Sequence, residues 1–301
     1  MFCLRPAKGC ILKMRAIILD GSKKADEIKR ELSERIESLK RSTGAVARLT
    51  ALQIGEGGAF SVYANSQKRI ANAINMDYEL IKLAGNISEQ GLIDKIIELN
   101  RDESVTGIIL QSPLPDGFDI IKITSFISSD KDVEGVSPEN KGKLLLNACK
   151  VVPPTASAAM ELISLCGIDL YGKEVVIIGH SGIVGKPLAM LLLDRLATVT
   201  ICHIATSEKG NLIEHISRAD LLIVAVGKPA LVKGEWIKKD AVVIDIGINR
   251  VNGKIVGDVE FDRAGERASY ITPVPGGVGP LTTTMLMRNC IELFGQQKGI
   301  I

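Results

Sequence analysis

The chain has 301 residues, of which 46% are hydrophobic and 24% charged, a balance that excludes a coiled coil, a collagen repeat or a disordered chain and argues for two domains. Lysine and arginine number 37 against 35 acidic residues, a formal charge of +2, so composition offers no broad basic footprint for nucleic acid or an anionic membrane. The 6 cysteines include no C-x-x-C pair and there are 3 histidines; neither a metal site nor a disulfide framework is expected.

No apolar run reaches the roughly 18 residues of a membrane span, and the opening MFCLRPAKGCILK lacks the apolar core of a secretory signal. The expected location is the cytoplasm, with residues 1–13 as a tail or an upstream start before Met14. From there, apolar bursts alternate with longer amphipathic stretches. Periodicity predicts strands at 47–54, 78–83 and 105–110, with helices at 25–40, 61–75 and 88–100. That alternation predicts a largely parallel sheet with helices on its faces. The proline-rich KVVPPTA at 150–156 marks a domain boundary, and a helix follows at 158–166. A second series then runs EVVIIG, a helix at 186–195, TVTIC, a helix at 211–217, DLLIVAVG and AVVIDIG, the pattern of a doubly wound nucleotide fold. After the turn-rich TPVPGGVGP a final helix at 282–294 is expected to pack back on the first domain. The fold class is therefore α/β in two domains, 14–150 and 151–281, the second Rossmann-like. Cys149, Cys166 and Cys202 lie in apolar stretches and read as buried thiols.

The segment Gly179, His180, Ser181, Gly182, Ile183, Val184, Gly185 follows an apolar strand and precedes a helix with Pro187 in its first turn. Small residues there let the backbone approach a pyrophosphate, and the helix start offers unpaired N–H groups. The spacing is G-x-S-x-x-V-G in place of G-x-G-x-x-G. Cofactor choice stays open: after TVTIC come His203, Ile204, Ala205 and Thr206, which complete neither the acidic signature of NAD nor the basic one of NADP.

The chain resembles the bifunctional methylenetetrahydrofolate dehydrogenase/cyclohydrolases. The resemblance rests on ILDG (18–21), Tyr63 on its helix, GIILQSPLP (107–115), KDVEG (131–135), GHSGIVGKP (179–187), GINR (247–250), GDV (257–259) and TPVPGGVGPLT (272–282), in that order. It implies that 14–150 is a catalytic domain and 151–281 an NAD(P)-binding domain, the two flanking a cleft, in a homodimer acting on a folate with NADP or NAD, with no nucleic acid or membrane partner. By the same resemblance Tyr63 and Gln111 are expected at the reacting centre, Tyr63, Asp132, Glu134, Pro275, Gly276 and Gly279 around the substrate, and Thr206 and Ile248 beside the loop at 179–185 around the cofactor.

Family chemistry has two steps. Moving a hydride from the one-carbon bridge to nicotinamide needs near-attack geometry and no obligatory protein acid or base. Hydrolysing the resulting methenyl cation benefits from a group that exchanges protons. The usual motif is Tyr-x-x-x-Lys on one helix, but four residues after Tyr63 stands Gln67. Lys68 lies about 140° around the helix from Tyr63 and reaches the same face only through a π-bulge or a shifted register. An amide orients groups but carries no proton at neutral pH, so Gln67 puts hydrolysis in doubt while sparing hydride transfer. A second departure is Glu134, where the family has aspartate; its extra methylene moves the carboxylate by about a bond length. A non-catalytic nucleotide-binding module and the same chemistry on a modified pterin carrier are the other readings these two substitutions leave open.

Overall fold

A computed structural model describes residues 15–56 and 58–300; residues 1–13, expected to be a tail or an upstream start, lie outside that range. The first half runs β1 (Ile17–Ile18), α1 (Gly21–Thr43), β2 (Arg48–Ile54), α2 (Gly58–Ala73), β3 (Asp77–Leu83), α3 (Glu89–Arg101), β4 (Gly107–Leu110), α4 (Ile120–Thr124), α5 (Pro138–Leu145) and α6 (Pro154–Leu165). The second continues with β5 (Glu174–Ile178), α7 (Gly185–Leu193), β6 (Thr198–Cys202), α8 (Ile204–Glu208), α9 (Leu212–Arg218) and β7 (Leu221–Val224). It closes with β8 (Val242–Asp245), β9 (Asn249–Val251), β10 (Lys254–Val256), α10 (Phe261–Gly265), β11 (Tyr270–Ile271) and α11 (Val278–Gln297).

Two parallel sheets organise these elements. One has the order β3-β2-β4; the other, six-stranded, has β1-β11-β8-β7-β5-β6. Strands β5, β7 and β8 are nearly unbroken Val, Ile and Leu and are buried along their length, as expected of parallel strands covered on both faces. Helix α1 starts where the Asp20 carboxylate accepts from Lys23 N, buries Ala25, Ile28, Leu32, Ile36 and Leu39 on one stripe, and stops at the left-handed Gly44. Each fully buried Leu or Ile of such a stripe contributes about 1.5–3 kcal/mol.

Three features depart from the expected layout. Strand β1, placed by sequence in the first domain, pairs in parallel with β11 at the edge of the second sheet. The chain therefore crosses between the two units at Leu19 and Asp20 before α1 begins. The final helix is longer than 282–294, since PGGVGP itself enters its first turn. Helix α11 packs on α1 and α6, and the Asn289 amide donates to the carbonyls of Val133 and Val152 (both 2.8 Å), stitching it to the segments before and after the predicted boundary. Finally, Cys202 is buried, but Cys149 and Cys166 are only half-buried.

Candidate active site

Ligand sites in open α/β sheets gather at the carboxyl ends of the strands, and the site residues converge there from both sheets. Helix α2 is α-helical throughout, without a π turn. Its regular 100° step places Gln67 inward, 3% exposed, and leaves Lys68 on the outer, solvent face. Gln111 leaves the end of β4 and is likewise buried. Its Nε2 donates to Gln67 Oε1 at 2.7 Å, and Tyr78 Oη, from β3, donates to the same oxygen at 3.0 Å. Burial pushes the Tyr78 phenol up to about 12, so it remains a neutral donor. Sequence reasoning named Gln67 and Gln111 but missed Tyr78, whose hydroxyl reaches α2 only because β3 pairs beside β2.

Two hollows flank this amide pair. Chain neighbours of Gln111, namely Leu110 and Ser112, line a cleft of about 700 Å³ together with Glu134, Lys141, Gly182, Ile183 and Lys186. Neighbours of Gln67 line the other, about 610 Å³, where Tyr63 and Ser66 face Gly279 and Pro280 of α11. Tyr63 is 56% exposed, its ring free to cover a flat ligand. Nothing lies within 4 Å of the place a Cβ would take at Gly279, which leaves room for close approach of substrate.

The two carboxylates of KDVEG do different work. Glu134 lines the cleft; burial, helped by the neighbouring Asp132 charge, pushes it up to about 8. Asp132, expected to touch substrate, is wholly buried and satisfied within the protein. After the turn at Gly135 the chain doubles back, so that the N–H groups of Val136 (3.2 Å) and Ser137 (2.8 Å) and the Asn140 amide (2.9 Å) all donate to Asp132. Asp132 therefore shapes the loop that presents Glu134. Lys131 serves the same loop from behind, its ammonium donating to the carbonyls of Leu99 (3.0 Å) and Asp102 (2.7 Å), and burial lowers its pKa.

The PGG turn has a positioning task as well as a lining one. The Gly276 carbonyl accepts from Gly21 N (2.9 Å) and Ser22 N (3.2 Å) at the start of α1. Any Cβ at Gly21 would collide with the Gly277 carbonyl. ILDG and PGG thus close one another. Pro275, joined to Val274 by a cis peptide bond, precedes that turn.

The glycine-rich loop fits a dinucleotide. Any Cβ at Gly185 would strike the Gly179 carbonyl, so glycine allows the tight return from β5 into α7. Val184 N donates to Ser181 Oγ (3.1 Å) and Lys186 N to the Ser181 carbonyl (3.1 Å). The N–H groups of Gly182 and Ile183 make no bond among the described residues, and a Cβ at Gly182 would meet only the Lys141 ammonium at 3.9 Å. Free N–H groups at a helix start, beside the exposed Lys186 and near Lys141, match a pyrophosphate. Across β5 and β6 a pocket of about 330 Å³ is lined by His180, Ser181, His203, Ser207, Leu212 and Lys228, among others, and by no carboxylate among the described residues. The rings of His180 and His203 meet edge to face, centroids 5.5 Å apart.

Thr206, expected at the cofactor, is not part of that lining: its hydroxyl accepts from His203 N (3.2 Å) and caps α8. Ser207 and Lys228 stand there in its place; neither was anticipated, because the chain brings them back through α8 and the end of β7. Ile248 follows β8 and is 57% exposed. Below it, Asp245 accepts from the N–H groups of Gly247 (3.0 Å), Asp258 (3.1 Å) and Val259 (2.9 Å), while Asp258 accepts from those of Val226, Gly227 and Lys228 (2.7–2.9 Å) and from the Asn249 amide (2.8 Å). GINR and GDV are therefore the frame that holds the loops after β7 and β8.

Comparison with known proteins agrees with this geometry. Residues 19–134 match the family described as "Tetrahydrofolate dehydrogenase/cyclohydrolase, catalytic domain", and residues 153–298 match its NAD(P)-binding domain. The bifunctional protein FolD of Bacillus subtilis is 44% identical over 280 residues, covering 93% of this chain and 98% of that protein. The same-named protein of Acetivibrio thermocellus is 45% identical over 280 residues, covering 93% and 97%. Among solved structures, the FolD methylenetetrahydrofolate dehydrogenase/cyclohydrolase of Campylobacter jejuni superposes with a TM-score of 0.90 at 40% identity, covering 93% of this chain and 99% of that one. The Trypanosoma brucei enzyme, solved with NADP and an inhibitor, gives 0.88 at 37% identity, covering 93% and 98%.

Proposed function

The chain belongs to the tetrahydrofolate dehydrogenase/cyclohydrolase family, and we propose that within it this member oxidises 5,10-methylenetetrahydrofolate but is a poor catalyst of the hydrolysis that follows. It is an NAD(P)-dependent methylenetetrahydrofolate dehydrogenase of one-carbon folate metabolism. The observation that carries the proposal is the Gln67–Gln111–Tyr78 cluster: in it two amides and a neutral phenol meet, and no member exchanges a proton at neutral pH.

The bound dinucleotide supplies the hydride acceptor. Oxidation then asks the chain to hold the donor carbon in line and to keep water out. We assign Gln111 and Gln67 to orienting the polar atoms around the one-carbon bridge, and Tyr63 to stacking on the aminobenzoyl ring. Glu134 offers its carboxylate to the donor N–H groups of the pterin edge, for which no donor among the described residues substitutes. For the cofactor we assign the loop at 179–185 with Lys186 to the pyrophosphate. His180, His203 and Lys228, with no opposing carboxylate in the lining, favour a 2′-phosphate and therefore NADP over NAD. Hydrolysis asks for more, because attack of water on the methenyl carbon must be accompanied by loss of a proton, and the cluster has nowhere to put it. The proposed setting is a cytoplasmic homodimer; among the described residues no helix is long and apolar enough to cross a membrane.

The test runs the forward reaction with NADP and NAD separately and follows reduced cofactor and methenyl product together. The expected result is equal accumulation of both, faster with NADP. Conversion of the methenyl product to 10-formyltetrahydrofolate well beyond its spontaneous rate would overturn the proposal.

A further inference from the structure

The cleft of about 700 Å³ carries a cation on each bank. Lys186 stands in the first turn of α7, on the nucleotide side, and Lys141 stands on α5, on the other side; both line the cleft together with Gly182 and Ile183. Neither lysine forms an ion pair among the described residues. Lys143, two residues further along α5, is instead taken up by Glu139 at 2.6 Å. Among the described residues the sole carboxylate in the cleft lining is Glu134, which burial pushes up to about 8 and so leaves mostly uncharged at neutral pH. The backbone that carries Lys141 is firmly held. Its chain neighbour Asn140 donates through its amide to Asp132 and to the Ser129 carbonyl (both 2.9 Å), and Asn140 N donates to Ser137 Oγ at the helix cap (3.3 Å). From that turn the Lys141 ammonium crosses to the glycine-rich loop and ends 3.9 Å from the place a Cβ would take at Gly182. Beside it are the N–H groups of Gly182 and Ile183, which make no bond among the described residues.

We propose that Lys141 binds the pyrophosphate of the dinucleotide from the catalytic side of the cleft, so that both domains hold the cofactor. The inference rests on reading the loop at 179–185 as a dinucleotide loop. A pyrophosphate bridge carries two negative charges. The N–H groups of Gly182 and Ile183 and the Lys186 ammonium meet it from the nucleotide domain, and Lys141 meets it from the opposite bank. The contact is between a point charge and a phosphate, so arginine can take it over, whereas a neutral amide cannot. It is electrostatic and partly exposed, and salt weakens it. Because the pyrophosphate keeps its charge throughout hydride transfer, the contact is equally strong before and during the reaction. It therefore lowers the KM for cofactor and leaves kcat alone. A nucleotide without a pyrophosphate gains nothing from it.

The experiment measures the Kd of NADP by calorimetry, and that of adenosine 2′-monophosphate by competition, in wild type, Lys141→Gln, Lys141→Arg and the charge-matched control Lys143→Gln, at low and high salt. In Lys141→Gln the Kd of NADP is expected to rise about three- to tenfold at low salt, and less at high salt. The Kd of adenosine 2′-monophosphate, which lacks the pyrophosphate, should stay within about twofold of wild type, and Lys143→Gln should bind both ligands as wild type does. Lys141→Arg should recover most of the NADP affinity, and the KM for NADP in Lys141→Gln should rise with kcat little changed. An NADP affinity untouched by Lys141→Gln, or an equal loss for both ligands, overturns the assignment of Lys141 while leaving the dinucleotide loop in place. Wild-type protein that binds neither NADP nor NAD would overturn the reading of the loop itself. Circular dichroism and a thermal melt of each variant separate a fold defect from loss of the contact, and recovery in Lys141→Arg tests the charge in a chain that keeps it.

Discussion

The two sides of the cleft treat their polar groups in opposite ways. On the nucleotide side, Asp245 and Asp258 are buried and loaded with donors, seven in all from backbone and Asn249. Even so, burial and the Asp258 charge push Asp245 up to about 6 against the pull of its three N–H partners. On the substrate side, Gln67, Gln111 and Tyr78 satisfy one another without any charge, and Glu134 faces the cleft with burial and a like charge as the influences on its proton. Carboxylates saturated by the protein hold loops in place, whereas a carboxylate left without donors is available to a ligand that brings its own. The difference separates frame from cleft: GDV belongs to the frame, and the last acid of KDVEG lines the cleft.

The largest effect should come from breaking the frame. Asp258→Ala strands three backbone N–H groups and an amide, and we expect a loss of about 3–5 kcal/mol in a urea or thermal unfolding experiment. A loss below about 1 kcal/mol would mean that the loops after β7 and β8 are held by something else.

Next is the neutral cluster. Gln67→Lys restores an amine beside Gln111, and we expect methenyl hydrolysis to rise at least about tenfold, against the 10²–10⁴-fold typical of a well-placed acid or base. Dehydrogenase activity should persist in this variant. An unchanged hydrolysis rate in a folded variant would show that the deficit does not lie at this position.

Glu134 gives a smaller effect with a defined sign. Its value in the folded protein, about 8, lies above the ordinary 4.5. Its contribution to stability is therefore fully present below pH 4.5 and is lost as pH rises through about 8. Wild type should melt lower relative to Glu134→Gln as pH increases across that window, with the two converging near pH 4. Substrate donors favour the ionised form, so KM should fall as pH rises toward about 8, and Glu134→Gln should flatten that dependence. The smallest effect is expected at Lys68: on the outer face of α2, Lys68→Met should shift stability by less than about 0.5 kcal/mol and leave oxidation intact.

Much of this was legible in the amino-acid order. Strands β5, β7 and β8 are continuous apolar runs because helices cover both faces, and such runs are readable without a structure. The register of α2 was readable too, since four residues in a regular helix bring Gln67 under Tyr63. Other features depended on contacts distant in sequence. Strands β1 and β11 have two residues each, too few for a pattern, and exist because they pair with each other and with β8. The β9–β10 hairpin carried the Asn252-Gly253 signal of a tight turn, with both residues at positive φ, but was masked by its place inside GINR and GDV. Asp132 and Glu134 stand two residues apart, and only the reversal at Gly135 decides which of them meets the protein and which the cleft. Tyr78, Ser207 and Lys228 belong to no motif and reach their sites through strand pairing and loop return.

The most direct measurement adds purified protein to 5,10-methenyltetrahydrofolate in the absence of any dinucleotide and records its decay against buffer alone. With two amides and a phenol where a proton-exchanging amine is needed, the two decay curves should coincide within about twofold, while the same preparation oxidises methylenetetrahydrofolate with NADP. Decay accelerated a hundredfold by the wild-type protein would contradict it.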